Sequence, residues 1–210
     1  MNVNSTPTAE SGCDRASSWS PFSRYLPRLK RPFYQGDAIV FWTMPVAHRQ
    51  QGWLTDRFYA VFCEMLLHAA AREGLLCPAC CLMPDHIHLV WMGVRLASDQ
   101  RNGIKFLRAQ LGPYLRPVLL QHQAHDHVLC PEERAEQALS VACTDYVLLN
   151  ALRAGLVENP QDWPYVGAVL PGYPRQNPFD LKYWPQFWKR YYAELEGGIT
   201  RRVLPRREIE

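Results

Sequence analysis

The chain has 210 residues, 48% of them hydrophobic and 20% charged, with a formal net charge of +3. That suits one folded domain with a substantial core, leaves no room for a second full domain, and is too weakly basic to announce a nucleic-acid partner by itself. No apolar run approaches the roughly 18 residues of a membrane span, the N-terminus has no compact apolar segment of signal-peptide type, and seven cysteines, an odd number, do not read as a secreted disulfide framework. The expectation is a protein of the reducing cytoplasm with no membrane partner.

Residues 1–32 are rich in Ser, Pro and Arg and read as a flexible or strap-like basic arm. AIVFWTMPV, residues 38–46, has the β-branched and aromatic content of a strand. A helix follows, with Thr55 as its cap, Gly74 as its stop, and Phe58, Phe62, Met65, Leu66 and Ala69 as its apolar stripe. LLCPACCLM then leads into a strand, and HIHLVWMG, after Pro84 and Asp85, gives another. RNGIKFLRAQLGPYLR predicts a second amphipathic helix, with Ile104, Leu107 and Leu111 toward the core and Arg101, Lys105 and Arg108 on the exposed side. HQAHDHVLC reads as a loop. PEERAEQALSVACTDYVLLNALRAG predicts one long helix with Glu132, Glu133 and Glu136 at its favourable N-terminal end. Farther on, Trp184, Phe187, Trp188 and Tyr191 have the spacing of a helical core stripe, which is the preferred reading over base stacking. The sum is an α+β fold, one sheet of about four strands with helices packed on one face.

His86 and His88 share one face of their strand, opposite Ile87 and Leu89. Two imidazoles in one cleft begin a divalent-metal site, or else they are a packing accident. No His-Glu-x-x-His pattern points to a metalloprotease. Tyr146, Asn150 and Arg153, at i, i+4 and i+7, share a helix face. A tyrosine can be a covalent nucleophile, an amide oxygen can complete a metal shell, and an arginine can hold a phosphate. Spacing alone leaves the plainer alternatives open: a core tyrosine, a helix-interrupting asparagine and a solvated arginine. Arg24, Arg28, Lys30 and Arg31 cluster before the first strand, and Arg101, Lys105 and Arg108 form a second group able to meet phosphates. Cys77, Cys80 and Cys81 in CPACC lack a fourth zinc ligand at suitable spacing, so zinc is not expected.

LMPDHIHLVW, then HDHVL, then DYVLLNALRAGLVENPQDWPYVG together resemble the REP-associated tyrosine transposases, relatives of the IS200/IS605 transposases in the HUH endonuclease class. The resemblance spans roughly residues 33–170 and leaves 171–210 as an aromatic and basic C-terminal extension. It implies a ferredoxin-like antiparallel sheet, single-stranded or hairpin DNA as substrate, and one divalent ion, Mg or Mn. It places the nucleophile on Tyr146, the catalytic and ligating histidines on His86 and His88, and the third ligand on Asn150. Arg28, Lys30, Arg31, Arg101, Lys105, Arg108, His127 and Arg153 are the expected DNA contacts, in a monomer or a homodimer. Two departures mark this chain: Ala151 stands where the family often has proline, and Asp85 where asparagine is frequent. The leading expectation is a strand-transferring endonuclease that works through a 5′-phosphotyrosine. The alternatives are a DNA-binding protein that kept the fold and lost turnover and, more remotely, a structural metal protein.

Overall fold

The computed structural model describes residues 28–129, 144–173 and 176–199. Five strands, β1 (Ile39–Pro45), β2 (Leu75–Met83), β3 (His86–Gly93), β4 (His125–Val128) and β5 (Val166–Val169), form one antiparallel sheet in the order β4-β1-β3-β2-β5. The α+β expectation therefore holds, with β5 added at one edge. β2 and β3 are joined by the two residues Pro84 and Asp85, which pairs Met83 with His86 and sets the first histidine beside the turn. Pro78, which has no N–H to donate, falls where the β2 register shifts, and β2 bends there.

Alternation sorts β3 cleanly. Ile87, Leu89 and Trp91 enter the core beneath two long helices, while Val90 and Met92 join a separate core on the opposite face. The first face is covered by α1 (Asp56–Glu73) and α2 (Gln100–Leu115). Thr55 caps α1 by accepting from the Phe58 N–H, and Gly74 closes it in the left-handed region at φ 64°. The predicted α1 stripe is the buried one, joined by Tyr59 and Ala70, with Met65 only partly covered. Asp99 caps α2 through the Arg101 and Asn102 N–H groups. Next to it the buried Gln100 amide donates to the Ala38 and Trp91 carbonyls and accepts from Trp42 Nε1, so the start of α2 is tied to β1 and β3.

The second face is also covered. It carries α3 (Asp145–Leu148), α4 (Asn150–Arg153) and α5 (Tyr183–Ile199). Val147, Leu148 and Ala151 pack there together with Tyr183, Phe187, Trp188 and Tyr191. Helices on one face only is thus corrected to helices on both: the aromatic stripe near the C-terminus had to be buried against something, and the second sheet face receives it. Among the described residues no helix is long and apolar enough to cross a membrane.

Two further expectations change. HDHV is not loop but β4, an edge strand paired with β1 through Phe41–His127 and Thr43–His125. The long helix expected over 131–155 is interrupted at Leu149, whose ψ of 8° separates α3 from α4, and the stretch with Glu132, Glu133 and Glu136 lies outside the described residues. Cys77 and Cys80 face one core and Cys81 the other.

Candidate active site

His88 is 4% exposed, a polar ring within the second face. Phe41 stacks on it with centroids 5.1 Å apart, and the Thr43 hydroxyl meets its Nδ1 at 2.9 Å. Both partners come from β1, where Thr43 sits directly across from His88. Burial, then the neighbouring His86 ring, pushes His88 down to about 3, with Arg153 and Arg49 acting in the same direction and Asp85 opposing. The imidazole is therefore neutral near pH 7, the form that binds a metal, and in the tautomer whose Nδ1–H donates to the Thr43 hydroxyl the Nε2 lone pair is free.

His86 lies edge-on to His88, centroids 4.5 Å apart. Its Nδ1 donates to Asp85 Oδ1 at 2.5 Å, and Arg49 Nη1 donates to Asp85 Oδ2 at 3.0 Å. Burial alone would raise the Asp85 carboxyl, but hydrogen bonding and charge from His86 and Arg49 outweigh it and hold the carboxyl below its ordinary value. The chain Arg49–Asp85–His86 fixes the ring and leaves Nε2 as the nitrogen that could hold a metal, a carboxylate–histidine arrangement common behind bound metals. The carboxylate that replaces the frequent asparagine is thus used. Arg49 reaches it from a turn in which His48 and Arg49 both take positive φ, 56° and 54°, conformations that cost a non-glycine residue about 1–3 kcal/mol each.

Tyr146, on α3, is half-exposed at 43%. Its ring stands edge-on to His88 at 5.5 Å and to Phe41 at 5.6 Å. Arg153 folds back over it with the guanidinium carbon 4.6 Å from the ring centroid, while Nη2 donates to the Asp145 carbonyl at 3.0 Å. The helix-face grouping of Tyr146 with Arg153 therefore survives the break at Leu149. Asn150 begins α4, and its side-chain nitrogen is buried with no hydrogen-bond partner. Among the described residues no three His, Cys, Asp or Glu side chains converge on a metal-sized point. A cation held here could draw on the two imidazoles, and the orphaned amide of Asn150, which offers a carbonyl oxygen once turned end for end, has the chemistry of a third ligand.

The expected DNA contacts divide. His127 pairs opposite Phe41 and so lies on the Tyr146 face. Arg101 and Lys105 belong to α2 on the opposite face, Arg101 over the Tyr34 ring and Lys105 exposed, with Lys30 also exposed. Three cations are engaged within the protein. Arg28 donates to the Ala124 carbonyl and pairs with Asp126 at 3.5 Å. Arg31 pairs with the buried Asp99 at 2.8 Å. Arg108, expected to point outward, instead turns in to the Gln121 and His122 carbonyls. Sequence reasoning missed Phe41, Thr43 and Arg49, since only the β1–β3 register and the left-handed turn bring them to the histidines.

Across 155 residues the chain is 23% identical to a Haemophilus influenzae protein provisionally named a REP-associated tyrosine transposase, a match covering 67% of this chain and 84% of that protein. In sequence the chain is similar to a REP-associated tyrosine transposase. The solved structure of a REP-associated tyrosine transposase bound to a REP hairpin shares its fold, with a TM-score of 0.55 at 18% identity over 67% of this chain and 82% of that one. No protein-family profile matches the chain. The likeness in fold to that solved structure agrees with the five-stranded antiparallel sheet.

Proposed function

We propose that the chain is a DNA strand-transfer enzyme of the transposase class, acting on single-stranded or hairpin DNA through Tyr146. The observation that carries this reading is the half-exposed Tyr146 phenol set against His88 and beneath Arg153. Hairpin DNA as substrate is supported by the transposase of similar fold that was solved with a REP hairpin. One divalent cation, Mg or Mn, would be held by His86, His88 and Asn150. When bound it would polarise the scissile phosphate and stabilise charge on the departing oxygen.

The remaining steps belong to the protein. The Arg153 charge, set over the Tyr146 ring, attracts a phosphate to the phenol. The Tyr146 oxygen gives up its proton to solvent and forms a bond to phosphorus as the bond to the 3′ oxygen breaks; that oxygen takes up a proton from solvent and leaves as a free 3′-OH, with the 5′ phosphate on the tyrosine. A DNA 3′-OH attacking the phosphotyrosine reverses the chemistry, joins strands and restores the phenol. Phe41 and Thr43 hold the His88 ring, and Asp85 and Arg49 hold His86, so both ligands are positioned before substrate arrives.

The test is binding and nicking by the purified chain. Hairpin-bearing single strands should bind more tightly than random duplex, with affinity falling as salt rises, and Mn should be required for cutting. Equal affinity for both DNAs counts against the reading. Tight hairpin binding without cutting under any divalent ion would favour the DNA-binding protein that has lost turnover.

A further inference from the structure

On the far side of β1, strand β4 repeats the pattern that marks β3: two histidines one residue apart, His125 and His127, on either side of Asp126. The antiparallel register sets His125 opposite Thr43 and His127 opposite Phe41, and residues directly opposite in a ladder point to the same face. Thr43 and Phe41 are the β1 side chains that meet His88. Both β4 imidazoles therefore stand on the Tyr146 face, with Thr43 between His88 and His125 in one row across three strands. The two histidine pairs stay separate, since among the described residues no three His, Cys, Asp or Glu side chains converge on a metal-sized point.

Asp126 fixes the orientation of the second pair. It lies opposite Trp42 and points to the other face, where Oδ2 accepts from the Tyr34 hydroxyl at 2.5 Å and Oδ1 pairs with Arg28 at 3.5 Å. The Arg28 guanidinium in turn lies over the Trp42 ring, 5.3 Å from its centroid. A carboxylate gripped by two partners on one face keeps a four-residue edge strand from rolling, so the imidazoles on the other face are held in place before any ligand arrives.

The pair has the reach and the access that an ion requires. His125 is exposed and His127 half-buried. Residues two apart on a strand are separated by about 6.5–7 Å along the backbone, and an imidazole nitrogen binds zinc at about 2 Å. Both rings can thus close on one ion without leaving the strand. Each ligates through one nitrogen and keeps the other for bonds within the protein. Two imidazoles with no carboxylate suit zinc, nickel or copper(II), whereas Mg prefers oxygen, and Asp126 is turned away.

We propose that His125 and His127 form a second metal site, which takes one zinc-class divalent ion through two imidazoles and water, on the Tyr146 face and distinct from the His86–His88 pair. Such a site does not require the chain to cut DNA.

The experiment titrates Ni²⁺ into the full chain, counting bound ions by equilibrium dialysis and following the histidine imidazole signals by NMR. His125→Gln and His127→Gln should each bind one Ni²⁺ fewer than the unmodified chain. In the unmodified chain the paramagnetic ion should broaden the His125 and His127 signals together, and His86→Ala should retain that broadening. A hundredfold excess of Mg²⁺ should not reverse it. The broadening is read on the unmodified chain, so it decides even where a variant is destabilised. Equal Ni²⁺ uptake by the unmodified chain and both variants, broadening of one β4 histidine without the other, or displacement by Mg²⁺ overturns the proposal.

Discussion

Arg49 is distant in sequence from the histidines, yet the left-handed turn at His48 and Arg49 delivers its guanidinium to Asp85 and, through Asp85, orients His86. Side chains behind a metal ligand typically change cation affinity by roughly 10–100-fold. Arg49→Ala should therefore lower Mn affinity, measured by calorimetry on the folded protein, by about tenfold, and Asp85→Ala by at least as much. Arg49 is 61% exposed, so its removal should leave thermal stability nearly unchanged; unchanged Mn affinity in both variants would remove the relay from the account. His86 and His88 were legible as a pair because strand alternation is strict. Tyr146 was not distinguishable from the other tyrosines by periodicity, and only the resemblance singled it out. Arg49 had no signal at all, since a positive-φ turn built from His and Arg has no compositional mark.

At the scale of elements, α2 depends on Asp99, which caps its first turn and binds Gln35 and Arg31. Burial pushes the Asp99 carboxyl up, but hydrogen bonds from the Asn102 backbone, Gln35 and Arg31 outweigh it and hold the carboxyl below the usual range. A carboxyl whose folded value lies below its unfolded one, near ~3.9, stabilises the fold above that pH and loses the contribution as pH falls through the folded value. Asparagine caps as well as aspartate. Asp99→Asn should thus cost about 1–2 kcal/mol at neutral pH and show a flatter loss of thermal stability than the unmodified chain on acidification below about pH 4; parallel acid limbs would contradict this. The caps of α1 were legible because Thr55 and Gly74 carry their own chemistry. β4 and β5 are four residues each, too short for a period to declare itself, and HDHV is polar because an edge strand needs only one partner.

The molecule as a whole is a sheet with two covered faces, and the sequence reading supplied only one. The predicted stripe of α5 was sound for Phe187, Trp188 and Tyr191, but its destination was not written in its spacing. Tyr183, Phe187, Trp188 and Tyr191 are each buried, and at about 2 kcal/mol apiece their burial is comparable with the total stability of a domain, about 5–15 kcal/mol. A chain ending at Asp180 should therefore bind hydrophobic dyes and aggregate; a monomeric truncated chain with an unaltered melting temperature would show that α5 is dispensable to the core. The face that α5 helps to close is also the one that carries Tyr146, whose chemistry is the central claim. Hairpin DNA labelled at its 5′ or its 3′ end, incubated with Mn and the full chain, measures that claim directly. The account predicts protein attached only to the fragment on the 3′ side of the break, through its new 5′ phosphate, and no attachment in Tyr146→Phe, which keeps the ring and its contacts with His88 and Phe41 and still binds the hairpin; an adduct that persists in Tyr146→Phe would contradict it.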